Sequence, residues 1–257
     1  MISIKNPLQL AGMRDAGRIT GEALLKARDA VKPGISTYEL DKIIHDYIVS
    51  CKARPSFLNY SGFPASACIS VNDEVIHGIP NKRIILKEGD IVKIDVGAYY
   101  KGFHGDSART FPVGKITKDA ERLISVTRES FYKGLEKMQL GNRLGDVCSA
   151  IGEHIAQNGY GIVTQFVGHG IGEQLHESPE VPNYGRPGRG VRLSEGMTLA
   201  IEPMVNIGSG NVYVLPDGWT VKTVDRSLSA HYENTVALTD NGVEILTLIE
   251  KDYPFNC

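Results

Sequence analysis

Apolar residues recur at helical spacing in four segments of the chain. Asn6 followed by Pro7 is typical of a helix start, because asparagine caps free amide groups and proline fits the first helical position. Ser36 and Glu39 form a capping box ahead of an apolar face with a period of roughly 3.6 residues. The predicted helices run from Pro7 to the VKPG stop at 31–34, from Ser36 to Cys51, over about 118–138 and over about 144–157, where Asn158-Gly159 ends the last one.

Short runs rich in β-branched and aromatic residues, separated by Gly or Pro turns, predict the strands. They cover 66–71, 90–99, 162–168, 197–206, 211–223 and 231–248. No Ser-, Pro- or Gly-rich linker divides the sequence, and 257 residues are enough to bury a sizeable core. The pattern therefore favours a single α+β domain over 1–257.

A faint internal repeat relates the two halves of the chain. The segment LKEGDIVKIDV from Leu86 aligns without gaps on LSEGMTLAIEP from Leu193, and this alignment pairs Asp95 with Glu202. Each half, approximately 1–115 and 116–257, would then deliver one carboxylate from the same place in its sheet. Two such halves facing each other would bring both acids to a central axis.

Each half supplies a second carboxylate from a later strand. Asp106 follows Asp95, and Glu233 in HYENTVAL follows Glu202. Four inward-facing carboxylates repel one another, and removal from water penalises their ionised forms further. Two divalent cations neutralise four negative charges, so the sequence predicts a dinuclear metal site held on a sheet.

A histidine completes the predicted ligand set. His169 stands between Gly168 and Gly170 at the end of an apolar run, and flanking glycines let the backbone approach the imidazole closely. His176 follows in the same segment. Oxygen-rich ligands with one imidazole suit Mn, Fe or Co, with Zn as a further candidate. The four cysteines contain no CxxC pair, which argues against a thiolate zinc site or a disulfide framework.

Bulk composition narrows the class of partner. The net charge is −2 and the pI is near 6.4, so bulk charge does not favour nucleic acid. No window approaches the roughly 18 apolar residues of a membrane span, and the N-terminus lacks the apolar core of a signal peptide. We therefore expect a cytoplasmic protein with no membrane partner that acts on a small molecule or peptide.

Five short motifs carry the candidate site residues. They are HGIP with His77, IDV and GFHGD with Asp95 and Asp106, GHGIG with His169, IEP with Glu202, and YENT with Glu233. Together they resemble the motifs of the bacterial type I methionine aminopeptidases, and the resemblance covers essentially the whole chain. It implies the pita-bread fold, in which two pseudo-symmetric α/β halves form a curved, mostly antiparallel sheet covered by helices. It also implies removal of the N-terminal methionine from nascent polypeptides whose second residue is small.

The resemblance further implies two divalent metal ions per chain and a role for each ligand. Asp95 and Asp106 would bind one metal, while His169 and Glu202 would bind the other. Asp106 and Glu233 would bridge both. The repeat agrees with this assignment, because it pairs Asp95 with Glu202 and leaves the two bridging acids as the second pair.

Catalytic roles also follow from the resemblance. His176 would hydrogen-bond the substrate carbonyl or its oxyanion, His77 would contact the scissile amide, and Glu202 would carry a proton from water to the leaving amine. The free amine of the substrate would be held at the metals, which restricts cleavage to the first residue. The chain's own Met1-Ile2 start would keep its methionine. A monomer would meet its substrates through transient association with the ribosome.

A pocket for the methionine side chain is implied by position. Its residues are Tyr60, Phe63, Cys68, His77, Leu175, His176 and Trp219. Such a slot is apolar and polarizable, as a thioether requires. The best-known bacterial forms have cysteine, histidine, tyrosine and phenylalanine where this chain has Phe57, Ser61, Phe63 and Leu175. Cys68 and the residues at 57–63 would serve equally well in core packing.

The remaining histidines have simpler interpretations. His45 and His154 fall on predicted helices and are expected at the surface. His104 is a weaker candidate for a contact behind the metal ligands. His231 shares a strand face with Glu233, so alternation predicts that it points toward the site.

Two other functions fit part of the pattern. Xaa-Pro aminopeptidases and prolidases of the same fold use the same five ligand types, so the ligands alone do not exclude them. They usually carry a large extra N-terminal domain, whereas the first motif here already stands at His77. A non-catalytic peptide-binding module of this fold would be expected to have lost a ligand, and all five are present.

Overall fold

The computed structural model describes residues 2–247. The helices within this range are α1 Pro7–Ala30, α2 Thr37–Ser50, α3 Lys118–Leu135 and α4 Leu144–Gln157, with a short 3-10 turn at Tyr60–Gly62. None of the described helices combines the length and the apolar character that a bilayer crossing requires.

The strands are short except for one central pair. In the first part of the chain they are β1 Arg54–Pro55, β2 Ala67–Val71, β3 Ile91–Tyr100, β4 Phe103–Pro112, β5 Gly161–Ile162, β6 Gly168–Gly170 and β7 Glu177–Val181. They continue with β8 Thr198–Ile201, β9 Met204–Asn206, β10 Val212–Val214, β11 Val221–Thr223, β12 Ser229–His231, β13 Asn234–Thr239 and β14 Gly242–Ile245.

The helix predictions are confirmed, including both caps. The Asn6 side chain accepts the amide of Gln9 at 3.0 Å, and the Gln9 side chain accepts the amide of Asn6 in return. Ser36 and Glu39 form the same reciprocal box at the start of α2. The third helix ends at Leu135, a few residues before the predicted limit.

Several strand predictions are wrong in extent. The run at 162–168 keeps strand geometry only at its two ends, and the run at 197–206 breaks at Glu202-Pro203, where proline has no amide to donate. The run at 211–223 forms a hairpin of two strands around the PDG turn, as a Pro-Asp-Gly turn within it implies. The run at 231–248 divides into three strands, with Leu248 outside the described residues. The strand expected to carry Asp106 is β4, whose bounds lie outside the predicted runs. The short β1 and the polar β7 also lie outside them.

All named strand pairs are antiparallel. In the N-terminal part, β3 lies between β4 on one side and β1 with β2 on the other. In the C-terminal part, a five-stranded sheet has the order β14-β13-β8-β6-β7 and a smaller sheet the order β12-β9-β5. The division of the domain into related halves stays a prediction of the repeat.

Strand alternation separates a core face from a site face. Val92, Ile94 and Val96 of β3 pack with the buried faces of α1 and α2 in one hydrophobic core. The intervening Lys93 and Asp95 therefore point to the opposite face of the sheet. A second core joins α3 and α4 to the C-terminal strands. Helices thus cover one side, and the acidic residues are left facing the other.

Side-chain hydroxyls join the two parts of the molecule. The Asp106 amide donates to Thr235 Oγ1 at 2.9 Å, and that hydroxyl donates to the Asp106 carbonyl at 2.9 Å. The Thr110 hydroxyl makes the same pair of bonds with the amide and carbonyl of His231. The segment 231–235 is therefore attached along β4 through buried hydrogen bonds.

Thr235→Val is expected to lower the free energy of unfolding by about 1–3 kcal/mol, because it leaves the buried Asp106 amide without an acceptor. Urea unfolding of the chelator-treated protein measures the change. Thr127→Val is the matched control, since its buried hydroxyl only bonds the Leu123 carbonyl of its own helix. Equal effects of the two substitutions would contradict the importance of the connection between the two parts.

Candidate metal centre and active site

The four predicted acids come from adjacent strands in each part. In the ladder of β3 and β4, Asp95 pairs with Ala108 and Asp106 pairs with Gly97, so both carboxylates share one face. Glu202 directly follows β8 and Glu233 directly precedes β13. These two strands are paired, and the residues next to the two acids, Ile201 and Asn234, lie opposite each other. The hydroxyl bonds described above bring these two pairs together.

His169 lies on β6 next to the acids. Its Nε2 is 3.6 Å from Glu202 Oε1 and 3.9 Å from Asp106 Oδ2. Its Nδ1 lies 2.9 Å from the Gly170 carbonyl. A carbonyl only accepts, so Nδ1 carries the proton and the Nε2 lone pair faces the acids. This is the orientation in which a neutral imidazole ligates a metal.

The acids hold their protons more tightly than free carboxyls do. Asp106 and Glu233 are buried, and Asp95 and Glu202 are open only in part. Loss of water raises the pKa of Asp95 to about 7. Burial first, and then the neighbouring acids, raise the pKa values of Asp106, Glu202 and Glu233 well above their ordinary range.

The donor set fits a divalent cation. Ligand atoms of Asp106, His169 and Glu233 lie within 4.8 Å of one another. Asp95 Oδ1 and Asp106 Oδ1 are buried without a hydrogen-bond partner among the described residues. Buried oxygens of this kind are costly unless a cation or water satisfies them. Carboxylate oxygens with one imidazole nitrogen favour hard or borderline metals.

Two further histidines flank the acidic group. His176 Nδ1 lies 2.8 Å from the Tyr60 hydroxyl, and its ring centroid is 4.2 Å from that of His169. His77 adopts a left-handed backbone conformation, with φ of 58°, and its ring meets Trp219 edge-on. Burial lowers the pKa of His77 to about 4 and also lowers the pKa of His176, so both are neutral near pH 7.

One cavity of about 190 Å³ contains both the acids and an apolar end. Its acidic end is formed by Asp95, Asp106, His169, Glu202 and Glu233. The rest is lined by Phe57, Tyr60, Ser61, Phe63, Cys68, His77, Leu175, His176 and Trp219. Every predicted site residue thus borders the same space. The volume is below the roughly 300–1,000 Å³ of sites for drug-sized ligands, which suits a single side chain.

The apolar end is built from packed rings and aliphatic groups. The rings of Phe63 and Trp219 meet edge-on at 5.1 Å between centroids. Cys68 and Leu175 are buried in the same hydrophobic cluster, so Cys68 both packs and lines the cavity. Burial raises the pKa of the Cys68 thiol well above its usual range, which leaves a neutral, polarizable group.

The other histidines differ in part from expectation. His104 Nδ1 bonds Ser56 Oγ at 2.9 Å beside a neighbouring surface cavity. His45 and His154 are half-buried rather than exposed, because each lies against a side chain of another element. His231 is 1% exposed and lies 3.9 Å from two of the acids, and burial lowers its pKa to about 3.

Sequence reasoning missed one buried cation beside the acids. Arg109 is 6% exposed, donates through Nη2 to Asn234 Oδ1 at 2.8 Å and lies over the Tyr232 ring at 4.1 Å. Its Nη1 also donates to the Glu233 carbonyl. It holds the backbone that presents Glu233. An arginine within a polar strand carries no local signal of such a contact.

Comparison with known proteins relates the chain to metallopeptidases. A model of metallopeptidase family M24 matches residues 11–240. The chain is 56% identical over 250 residues to a methionine aminopeptidase from Clostridium acetobutylicum, covering 97% of this chain and 100% of that relative. The structure resembles a methionine aminopeptidase from Rickettsia prowazekii with a TM-score of 0.95 at 43% identity, covering 96% of this chain and 100% of that chain.

More distant neighbours share the fold alone. A prolidase from Pyrococcus furiosus matches with a TM-score of 0.78 at 24% identity, and the match covers 96% of this chain but 66% of the prolidase. These neighbours and the antiparallel sheets with their covering helices confirm the expected α+β pita-bread fold.

Metal binding at pH 7 is expected to release protons. The raised pKa values keep protons on the site carboxyls, and a cation binds only the ionised groups. Affinity should therefore fall as the pH is lowered from 8 to 6. Titration calorimetry with Mn²⁺ in buffers of different ionisation enthalpy counts the protons. Asp106→Asn should release fewer, whereas proton release equal to that of the unaltered protein would contradict the assignment.

Proposed function

The chain belongs to metallopeptidase family M24, and on that basis we propose that it is a metal-dependent aminopeptidase that removes N-terminal methionine from nascent proteins with a small second residue. The observation that carries this proposal is the single cavity with an acidic end and an apolar end. Full-length relatives at up to 56% identity are named methionine aminopeptidases, which supports the same activity.

Five residues would hold the metals at the acidic end. Asp95 and Asp106 would serve one cation, His169 and Glu202 the other, and Asp106 and Glu233 both. Two divalent ions drawn from Mn, Fe, Co or Zn match four carboxylates in charge. When bound, such ions acidify a water molecule and polarise the scissile carbonyl.

The histidines at the cavity would orient the substrate. The Tyr60 hydroxyl lies 2.8 Å from His176 Nδ1, and we assign it as the donor. The His176 proton would then lie on Nε2 and be donated to the carbonyl oxygen of the scissile bond. His77, held neutral by burial, would contact the scissile amide. Glu202 reaches the same space from the acidic end and would transfer a proton from water to the leaving amine.

The apolar end would set the specificity. Phe63, Cys68 and Trp219 offer a polarizable wall that suits a thioether, and Tyr60, Leu175 and His176 complete the slot. The small volume restricts the pocket to one side chain and favours a free N-terminus over an internal residue. Prolyl-specific peptidases are related to this chain only at the level of fold.

The substrates imply a setting for the enzyme. N-terminal methionine is first exposed on chains leaving the ribosome, so we place the protein in the cytoplasm in transient association with ribosomes. We propose that it acts as a monomer, because one chain contains every predicted ligand and pocket residue.

Hydrolysis of Met-Ala-Ser is expected from chelator-stripped protein once Mn, Fe, Co or Zn is restored, with Ala-Pro-Ser and Leu-Ala-Ser cleaved far more slowly. Glu202→Ala should abolish the activity with every metal. Release of the first residue is followed by chromatography. Preferential cleavage of the prolyl bond would move the assignment to a prolidase-type enzyme, and no hydrolysis with any metal would favour a peptide-binding module.

His176→Ala is expected to lower kcat by about 10²–10³-fold, because it removes a donor to the developing oxyanion. Tyr60→Phe removes only the partner of Nδ1 and should lower kcat by about two- to twelve-fold. Steady-state kinetics tests both variants, and the amount of bound metal is measured in the same samples. Tyr213→Phe on the exposed hairpin is the control. A His176→Ala variant with unchanged kcat would remove His176 from the mechanism.

A further inference from the structure

His231 has a fixed place in the molecule and no assigned role in the proposed mechanism. It is the last residue of β12, where it pairs with Met204 of β9. Its amide and carbonyl are both bonded to the Thr110 hydroxyl at 2.9 Å. The side chain is 1% exposed. Backbone attachment on two sides and burial leave the imidazole little freedom to turn away.

The imidazole is directed at two of the predicted ligands. His231 Nε2 lies 3.9 Å from Glu202 Oε2 and 3.9 Å from Glu233 Oε2. The other oxygen of Glu202 lies 3.6 Å from His169 Nε2. The Glu202 carboxylate is thus placed between two imidazoles, one on each of its oxygens.

Both ring nitrogens of His231 are buried without a hydrogen-bond partner among the described residues. A buried polar group left in that condition destabilises the fold, so an unpartnered imidazole requires an explanation. A separation of 3.9 Å is too long for a hydrogen bond. The two carboxylate oxygens are nevertheless the acceptors that His231 Nε2 faces.

His231 lies behind the carboxylates rather than in the cavity. The acids and His169 line the cavity, whereas His231 does not. The carboxylates would therefore lie between a cation bound in the cavity and the His231 ring. A group in this position acts on the metal through its ligands, by fixing their orientation.

We propose that His231 is a positioning residue, whose Nε2–H closes from the present 3.9 Å to hydrogen-bonding distance of the Glu202 and Glu233 carboxylates in the metal-loaded site and holds them in the orientation that the metals require. This inference rests on the metal site of the proposed function. It explains the unpartnered Nε2, the burial and the convergence of two predicted ligands on one imidazole atom.

The test measures metal binding by the chelator-stripped full-length protein. His231→Leu, which removes the donor, should weaken Mn²⁺ binding by about 10–100-fold. His231→Gln places an amide N–H near the position of Nε2 and should restore most of the affinity. His231→Asn, with an amide too short to reach, should behave like the leucine variant and replaces it if that protein does not fold. His154→Leu on α4 is the control and should bind normally.

The visible absorption of bound Co²⁺ separates the proposal from direct ligation. Under the proposal, His231→Gln retains the spectrum of the unaltered protein, because the ligand set is unchanged. Loss of a nitrogen ligand from the spectrum in both the Gln and Leu variants would overturn it in favour of direct binding. Unaltered Mn²⁺ affinity in His231→Leu and His231→Asn would overturn this inference and leave the proposed function intact. An unaltered protein that binds no metal would overturn the proposed function and this inference together.

Discussion

The removal of four carboxylates from water into one small cavity is the constraint on which the rest of the structure depends. Asp95, Asp106, Glu202 and Glu233 each have a pKa raised chiefly by loss of water. Acids in this arrangement do not stabilise a fold by themselves. A bound divalent cation would offset this cost, and membership of a metallopeptidase family agrees with that interpretation.

Buried hydrogen bonds and close packing between elements hold these acids together. Hydroxyls of Thr110 and Thr235 attach the segment 231–235 along β4, and Arg109 holds the carbonyl of Glu233. Gly105 permits close packing beside Asp106, because a Cβ there would come within 2.9 Å of the Gly17 backbone of α1. Helix α1 therefore lies directly on β4 and supports the strand that carries a central ligand.

The two ends of the cavity differ in how precisely their side chains must be placed. Metal ligation depends on a few atoms at fixed separations, and every proposed ligand accordingly lies in or next to a strand. The apolar end needs only a hydrophobic volume of suitable shape, and its residues come from loops and edges such as those around Tyr60 and Trp219. Packing tolerates substitution more readily than ligation does. This difference agrees with the expectation that the proposed ligands follow the motifs of the resemblance while Phe57, Ser61, Phe63 and Leu175 depart from it.

The sequence by itself determined the elements and donors whose signals are local. Caps at Asn6 and Ser36 marked two helices, and the repeat paired Asp95 with Glu202 because related segments place equivalent residues alike. A strand carrying Asp106 was predicted, but the extent of β4 was not, since hydrophobic alternation is weak among its polar residues. Arg109, the threonine hydroxyl bonds and the position of His231 behind Glu202 and Glu233 were decided only by tertiary structure. The contacts of Arg109 and of the two threonine hydroxyls join residues more than a hundred positions apart. No local pattern encodes the distance between two atoms that folding brings together.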